Sequence, residues 1–434
     1  MQADRSGSES CTTMLMTRAA PGPRRAALSF IFITVLLDVL ALGVIIPVLP
    51  ALVASFVGGD LVRAAGIVGD FGMIWAAMQF VASPLLGAVS DRFGRRPVIL
   101  LSNFGLGLDY VLMALAPTLG LLFIGRVISG ITAASLTTAG AYIADVTPPE
   151  KRAAGFGMLG AAFGLGFVLG PALGGVLGGI SPRLPFWVAA ALSLTNAAYG
   201  LFVLPESLPP ERRSRFSWRQ ANPVASLTLL RSHPALLGLA GSNFLNFLAH
   251  EVLPSVFVLY AIYRYGWSEV TIGLTLAAVG LCAAVVQAGL VRPVVARYGE
   301  RPVLLFGLFC GACGFTAYGL ATSGEIFWLG IPIMAIWGLT GPVAQSLMTR
   351  HVSPVEQGQL QGALSAVRGI SGMIGPKLFT LVFAAFIGVE RDRQMPGAPF
   401  LLSALLLLMA LALAWRATRR RNDAADRPLT EPSP

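Results

Sequence analysis

Three ionisable side chains interrupt stretches that are otherwise apolar, and they are the residues best placed to do chemistry. Asp38 lies in an apolar run near the N-terminus, and Asp109 and Arg126 lie in two later runs. Each run is long enough to cross a bilayer, where an ionisable side chain is costly unless it is paired. One arginine facing two carboxylates can leave one acid paired and the other free to carry a proton. The alternative is a static cluster that only fixes the orientation of the helices.

The three charges are predicted to lie at similar depths. With a rise of 1.5 Å per residue, Asp38 and Asp109 lie about 16 and 18 Å from the cytoplasmic side, and Arg126 lies roughly 20 Å from it. A later pair, Glu251 and Arg368, lies at about 24 and 17 Å and could form an ion pair. We therefore predict that these five residues handle the proton or the substrate.

Other polar side chains in apolar runs are candidates for lining a cavity. His250 is either a hydrogen-bonded packing residue or a proton carrier, and Lys377 could simply extend to the membrane interface. Neutral polar residues could line the cavity or bridge helices. With His250, the cavity candidates are Gln79, Asn243, Asn246, Gln287 and Gln345.

One short turn between two apolar runs is dense in glycine, aspartate and arginine. It reads Gly87-Ala-Val-Ser-Asp91-Arg92-Phe-Gly94-Arg95-Arg96-Pro97. Glycine allows the backbone to fold back sharply, and proline suits the first turn of the following helix. The pattern predicts a tight charged hairpin at a membrane face, which is either a topology signal or a cytoplasmic gate.

Composition indicates a protein that lies mostly within a membrane. The 434 residues are 55% hydrophobic and 12% charged, with a mean hydropathy of +0.73, whereas soluble proteins carry roughly 25% charged residues. The net charge of +10 comes from arginines in short loops between apolar runs. That distribution favours membrane orientation over nucleic-acid binding. Four cysteines imply no disulfide framework, and the Cys310–Cys313 pair is expected to pack between helices.

Windows of about 20 apolar residues predict an all-α membrane protein with twelve spans. The spans lie near 27–50, 66–90, 97–116, 119–142, 152–180, 184–204, 235–263, 268–291, 301–321, 326–349, 357–388 and 398–416. Basic residues concentrate in the even-numbered connections, which places both termini in the cytoplasm. We predict a disordered cytoplasmic tail over 1–26, six-helix bundles over 27–204 and 235–416, a cytoplasmic linker over 205–234 and a cytoplasmic tail over 417–434.

The two bundles are predicted to be repeats. Arg92-Phe-Gly-Arg-Arg-Pro-Val98 aligns with Arg297-Tyr-Gly-Glu-Arg-Pro-Val303, and Gly170-Pro171 aligns with Gly375-Pro376, both at an offset of 205 residues. Internal duplication with pseudo-symmetry is how many secondary transporters are built. The second copy has Ala296 where the first has Asp91, and we expect it to have lost the gating role.

The fifth span is rich in glycine, which leaves a groove that another helix can enter. Its motif consists of Gly166, Gly170, Pro171, Gly174 and Gly175. Ordinary close packing of helices would account for it. It also resembles the antiporter signature of drug/proton exchangers in the major facilitator superfamily, where the signature lies between the two halves.

The loop from Gly87 to Pro97 likewise resembles the loop between spans two and three of that superfamily. The stretches Leu37-Asp38 to Pro50, Gly107-Leu-Asp109-Tyr110 and Gly125-Arg126-Val-Ile-Ser-Gly130 resemble spans one, three and four of the tetracycline/proton antiporters. The resemblance implies two pseudo-symmetric six-helix bundles and assigns coupling roles to the matching acids and arginine. It departs at Ala283 and Gly311, where those exporters have a histidine and an aspartate, so tetracycline as a substrate is left open.

The sequence thus predicts a proton-coupled exporter of amphipathic small molecules that works by alternating access. It has no nucleotide-binding loop, metal motif or nucleophile turn, so we expect no enzyme activity, no bound metal and no cofactor beyond the proton gradient. We expect a monomer in a bacterial inner membrane, with the substrate, protons and lipid as its partners. The alternatives are a proton symporter that imports a metabolite and a non-transporting receptor or assembly factor on the same scaffold.

Overall fold

The computed structural model describes residues 23–133, 135–148, 151–214, 227–232, 234–353, 356–388 and 394–425. All regular structure within these residues is helical, because a chain in lipid must satisfy its backbone hydrogen bonds internally. Twelve helices, which we label α1 to α12, are long and apolar enough to cross a membrane. They are Leu28–Phe56, Leu61–Phe93, Arg95–Leu115, Leu119–Val146, Gly155–Ile180, Leu184–Val203, Leu236–Tyr265, Glu269–Tyr298, Glu300–Leu320, Gly324–Thr349, Gln357–Ile387 and Ala398–Arg419.

Several spans change geometry partway along. α1 contains a turn over residues 46–48, where Pro47 cannot donate a backbone hydrogen bond, and α7 is interrupted at Glu251. α8 contains a π-helical segment, Val286–Leu290, and α10 contains a 3₁₀ segment, Trp337–Leu339. The turn in α1 and the break in α7 begin 205 residues apart, so they lie at matching positions of the two halves.

Other boundaries repeat at the same offset, which makes the two six-helix bundles pseudo-symmetric. α3 and α9 match at both ends, as Arg95–Leu115 and Glu300–Leu320. Each of these helices is preceded by a glycine with positive φ, Gly94 at 109° and Gly299 at 79°. Glycine adopts this backbone conformation without steric cost, so the same sharp turn forms twice.

The two halves meet closely at one end of the molecule, which we call the closed end. Along the α2–α11 seam, a Cβ atom at Gly72 would lie 2.7 Å from Pro376 Cβ, and Val62 lies beside Gly388. Along the α5–α8 seam, a Cβ atom at Gly280 would lie 2.9 Å from Val168 Cγ2. Small residues therefore let the backbones of opposite halves approach each other.

The seams separate toward the other end, which carries the turns at Gly94 and Gly299 and which we call the open end. The glycine contacts of α2 with α11 extend from Val62 only as far as Phe80. Nearer the open end, no described atom lies within 4 Å of a Cβ placed at Gly87 or Gly164. The described glycine contacts between the halves are therefore concentrated toward the closed end.

The twelve predicted spans correspond to the twelve helices, but the first, second, fourth and eighth are longer than predicted. The first predicted span ends at Pro50, yet this residue lies in the first turn of the segment Leu49–Phe56, where a missing N–H is tolerated. α2 begins at Leu61 because the Asp60 carboxylate accepts hydrogen bonds from the backbone of Val62 and Arg63, at 3.0 and 3.1 Å.

The predicted tails also need correction. The first helix begins at Pro23, inside the predicted tail 1–26, and the last helix continues to Ala425, well into the predicted tail 417–434. The polar connection 205–234 contains a helical turn, Pro210–Arg212, and a short helix, Thr228–Ser232. Residues 1–22, 215–226, 233 and 426–434 lie outside the described part of these regions.

Candidate functional site

The three charges predicted in the first half come together in its interior. Asp38 on α1, Asp109 on α3 and Arg126 on α4 are 7%, 1% and 9% exposed. Tyr110, the neighbour of Asp109, is fully buried and lies close enough to interact electrostatically with all three. Helices α1, α3 and α4 thus bring two acids and one guanidinium around a single tyrosine.

Asp109 is buried beside Arg126 but is not bound to it. Its carboxylate lies against the backbone of α4, where a Cβ atom at Gly125 would be 3.0 Å from Asp109 Oδ1. Among the described residues, neither oxygen of Asp109 has a hydrogen-bond partner, and neither does Arg126 Nε. The Arg126 guanidinium instead lies 5.4 Å from the centre of the Trp75 ring on α2. A buried carboxylate without a donor can accept a proton while breaking no existing hydrogen bond.

In the second half, the predicted ion pair between Glu251 and Arg368 is absent from the described residues. Glu251 stands at the break in α7 and packs against Gly375 and Gly372 of α11. Arg368 lies about 10 Å before Gly375 along the same helix. Its guanidinium is 5.6 Å from the centre of the Phe247 ring. The two charges interact electrostatically through space, but their side chains stay on different turns.

The polar cavity candidates differ in how far they are buried and in their partners. Asn246 is buried and accepts a hydrogen bond of 2.8 Å from Trp337 Nε1, so it bridges α7 and α10. His250 lies beside the same indole, with ring centres 5.7 Å apart. Asn243 is buried, Gln79 is half-buried, and Gln287 and Gln345 are exposed.

Gln287 lies in the π-helical segment of α8, which sequence periodicity did not predict. Its side chain lies beside Gly338 of α10, with Cγ 3.9 Å from the position of a Cβ atom there. Single π-helical turns within α-helices occur frequently at functional sites. The exposed glutamine and the irregular backbone therefore lie at the same place in α8.

At the open end, Arg95 is the centre of the predicted gate. Its guanidinium contacts Asp91 at 2.5 Å and Asp145 at 3.1 Å, and it donates a hydrogen bond of 2.6 Å to Ser90 Oγ. Asp145 comes from the end of α4 and was not predicted. The network ties the turn between α2 and α3 to α4 within the first half.

The sequence also did not predict a role for Glu206, which follows α6. Its Oε1 atom accepts hydrogen bonds from the backbone N–H groups of Arg95, Ser207 and Leu208, at 2.9, 2.9 and 3.0 Å. A carboxylate is favoured at a helix N-terminus, where the backbone donors of the first turn are free. The start of the predicted linker thus caps α3 instead of hanging free.

The two other arginines of the predicted gate have local partners. Arg96 donates a hydrogen bond of 2.5 Å to the Leu201 carbonyl on α6, and the Arg92 guanidinium lies 5.1 Å from the Phe93 ring centre. Within the described residues, these contacts place Arg96 against α6 and Arg92 against its neighbour.

The second half repeats the Arg95–Asp145 ion pair with its charges exchanged. Glu300 binds Arg350 at 2.7 Å and accepts a hydrogen bond of 2.7 Å from Ser346 Oγ. These two residues follow Arg95 and Asp145 by 205 positions each. The position that matches Asp91 is Ala296, so the third charge of the network is missing there.

The glycines of the antiporter-like motif serve two interfaces. Gly166, Gly170 and Gly174 pack against α1 of the same half, where a Cβ atom at Gly170 would lie 2.7 Å from Gly43 Cα. Gly175 faces the other half, and a Cβ atom there would lie 2.9 Å from Gly273 Cα on α8. The Pro171 carbonyl also contacts Gly273. Only part of the motif therefore lies between the halves.

Known proteins resemble this chain over almost its whole length. The profile of the Major Facilitator Superfamily matches residues 31–376 and 239–433. The class C tetracycline resistance protein of Escherichia coli is 38% identical over 391 residues, which cover 89% of this chain and 95% of that protein. The class D protein of Salmonella ordonez is 33% identical and covers 88% of this chain and 95% of its own length.

Solved structures agree on the fold. The human organic anion transporter MFSD10 superposes with a TM-score of 0.69 at 25% identity, covering 91% of this chain and all of that one. A bacterial homologue of the lysosomal transporter Spinster, in an inward-facing and unoccupied conformation, gives a TM-score of 0.75 at 18% identity, covering 92% and 98%. With its twelve spans and relatives of the tetracycline resistance type, the chain is a multi-pass secondary transporter, not an enzyme, and belongs to the Major Facilitator Superfamily.

Proposed function

We propose that this transporter exports amphipathic small molecules in exchange for protons, by alternating access across a bacterial inner membrane. The basic residues of the connections gather at the open end, where Arg95, Arg297 and Arg350 lie in or beside the turns. By the positive-inside rule that end faces the cytoplasm, together with both termini. The conformation in which the closed end is sealed is then inward-open, and it can accept a substrate from the cytoplasm.

One observation carries the proposal: the Asp109 carboxylate is 1% exposed and has no hydrogen-bond partner within the described residues, although Arg126 is nearby. A structural ion pair would be closed and fully hydrogen-bonded, since unpaired buried charges are strongly unfavourable. An acid that is left open beside a cation can instead alternate between a neutral and a charged form. Asp38 and Tyr110 share its electrostatic environment, so each form changes the balance of the whole cluster.

Protonation drives transport only if it favours one conformation over the other. Asp109 and Arg126 lie on α3 and α4, and the guanidinium rests on Trp75 of α2, the helix that forms one seam with the second half. A change of charge at Asp109 alters the pull on Arg126 and hence its contact with α2. We infer that proton entry is linked in this way to the rocking of the halves.

The substrate class is proposed by analogy with the relatives, and it is not narrowed to tetracycline. Several relatives are named tetracycline resistance proteins. At Gly311, however, a Cβ atom would lie 2.7 Å from both Trp337 Cδ1 and Leu407 Cδ1. As α9, α10 and α12 are packed here, an acidic side chain has no room at this position, so the second half provides no carboxylate there.

The test is proton flux in inverted membrane vesicles, challenged with a panel of amphipathic drugs that includes tetracycline. The wild type is expected to release protons from the acidified lumen when a substrate is added. Asp109→Asn and Asp38→Asn should each abolish that release while the protein remains folded, as judged by gel filtration. Full drug-induced release in both variants would refute the assignment of the proton site.

A matched control is Asp60→Asn. Asp60 caps α2 outside the apolar interior, and asparagine caps a helix as well as aspartate does. This variant removes a carboxylate by the same chemical change, so it should keep wild-type proton release. If no compound in the panel moves protons in any variant, the exchanger proposal is wrong as a whole.

A further inference from the structure

Asp70 on α2 and Lys377 on α11 form an ion pair that joins the two halves. Lys377 Nζ lies 2.6 Å from Asp70 Oδ1 and donates a second, longer hydrogen bond of 3.4 Å to the Gly66 carbonyl. The sequence leaves open that Lys377 simply extends to the membrane interface, whereas the structure gives it a partner in the other half. Its ammonium group is held by a helix that lies more than 300 residues away in the chain.

The pair lies where the halves are packed most tightly. Immediately before Asp70, the α2 backbone at Gly69 packs against Thr380 and Lys377, and two residues after Asp70 the backbone at Gly72 packs against Pro376. There is no space for a side chain at either glycine. This close approach of the backbones lets a short carboxylate and a long ammonium side chain meet across the seam.

One side of the pair is apolar, and the rest of it is partly exposed. It borders an apolar cavity of about 560 Å³, whose lining includes Met73, Ile74, Met373 and Ile374. The side chains of Lys377 and Asp70 remain 32% and 43% exposed. The pair is therefore intermediate between a buried ion pair and a fully solvated one.

The pair can exist only while the closed end is closed. The halves touch along α2 and α11 from Val62 to Phe80, and alternating access requires this seam to separate. By contrast, the other described ion pairs, Arg95 with Asp91 and Asp145, and Glu300 with Arg350, join helices of one half. Separation of the seam leaves those pairs intact and breaks the one between Asp70 and Lys377.

We propose that Asp70 and Lys377 form the outer gate of the transport cycle, an ionic lock that favours the conformation with the closed end sealed. This inference rests on the alternating access of the proposed function, but it requires neither proton coupling nor a particular substrate. The competing role is a purely structural ion pair, which would require that the pair persist in both conformations. Such a pair would stabilise both of them, whereas a lock is present in only one and shifts the balance between them.

The experiment measures that balance directly. In a variant without native cysteines, spin labels are attached through Val62→Cys and Gly388→Cys, two positions that face each other across the closed end. Pulsed electron paramagnetic resonance then gives the populations with short and long label separation in proteoliposomes without substrate. A readout of distance keeps a failure of this proposal distinct from a failure of drug or proton transport.

Asp70→Asn and Lys377→Met should each raise the ratio of long to short separation by roughly fivefold or more, the usual scale of coupling between two conformations. The double variant should shift the ratio no further than either single one, because both remove the same interaction. The exchanged pair, Asp70→Lys with Lys377→Asp, should return the ratio toward that of the wild type.

Arg183→Gln is the matched control. Arg183 donates hydrogen bonds to the carbonyls of Ala114 and Ala116, within the first half and toward the same end of the molecule. Its loss should lower thermal stability without changing the ratio. An unchanged ratio in both single variants, or effects that simply add in the double variant, would overturn the proposal.

Discussion

Gly175→Ala is predicted to open the closed end by crowding the seam between α5 and α8. A methyl group at Gly175 would lie 2.9 Å from Gly273 Cα and still closer to the Glu269 carbonyl oxygen, so the two helices must move apart. Overpacking of this kind costs about 1–3 kcal/mol. Because the contact exists only while the seam is closed, the whole penalty falls on that conformation. The equilibrium should therefore shift by roughly 5- to 150-fold toward opening.

Gly164→Ala, about three turns earlier on the same helix, is the control. No described atom lies within 4 Å of the position that its methyl group would take. Both substitutions increase helix propensity by about 0.8–1 kcal/mol, so this effect cancels in the comparison. The labels at positions 62 and 388 report the conformation, and transport is measured beside them. Equal label distances in Gly175→Ala and Gly164→Ala would refute the reasoning that tight glycine contacts seal this seam.

Two further predictions concern stability. Glu206→Gln removes the charge that caps α3 and should lower the free energy of unfolding by about 0.3–1 kcal/mol, measured by thermal denaturation in detergent. Glu211→Gln, which changes an exposed residue of the same segment, should have no effect. Equal stability of the two variants would contradict the capping role of Glu206. Gly311→Ala should lower the free energy of unfolding by about 1–3 kcal/mol because its methyl group would meet Trp337 and Leu407. Gly341→Ala places its methyl group in open space and should leave the free energy of unfolding unchanged.

The fold could be predicted well because lipid imposes a simple rule on sequence. Helices of about 20 apolar residues must alternate with polar turns, and this pattern is visible without any knowledge of packing. The offset of 205 residues also anticipated details of geometry, including the paired glycine turns at Gly94 and Gly299. Local rules failed where a residue has two roles: Pro50 could end one helix or begin the next, and the structure begins one there.

The site could be predicted only where its charges stand out against apolar surroundings. Asp38, Asp109 and Arg126 were found because nothing near them in sequence is charged. Asp145 and Glu206 lie among other polar residues, and their roles depend on helices that meet only in three dimensions. One signal was available for Asp145: Arg350 follows it by 205 residues, just as Glu300 follows Arg95.

Pairing between helices was the least predictable feature. Lys377 and Asp70 each lie in a predicted span, but which turns of α2 and α11 face each other depends on the tilt and approach of two bundles. The same limit explains the incorrect pairing of Glu251 with Arg368. Their estimated depths were compatible, yet Glu251 packs on Gly375, about two turns further along α11 than Arg368.

We propose that Asp109 couples the proton gradient to the transport of the substrate. The most direct measurement compares two fluxes in the same proteoliposomes: substrate exchange without a gradient, and substrate accumulation driven by an imposed pH difference. The ratio of driven to exchange flux should rise with the pH difference in the wild type and be independent of it in Asp109→Asn. A ratio that still follows the pH difference in Asp109→Asn would show that another group couples the proton to transport.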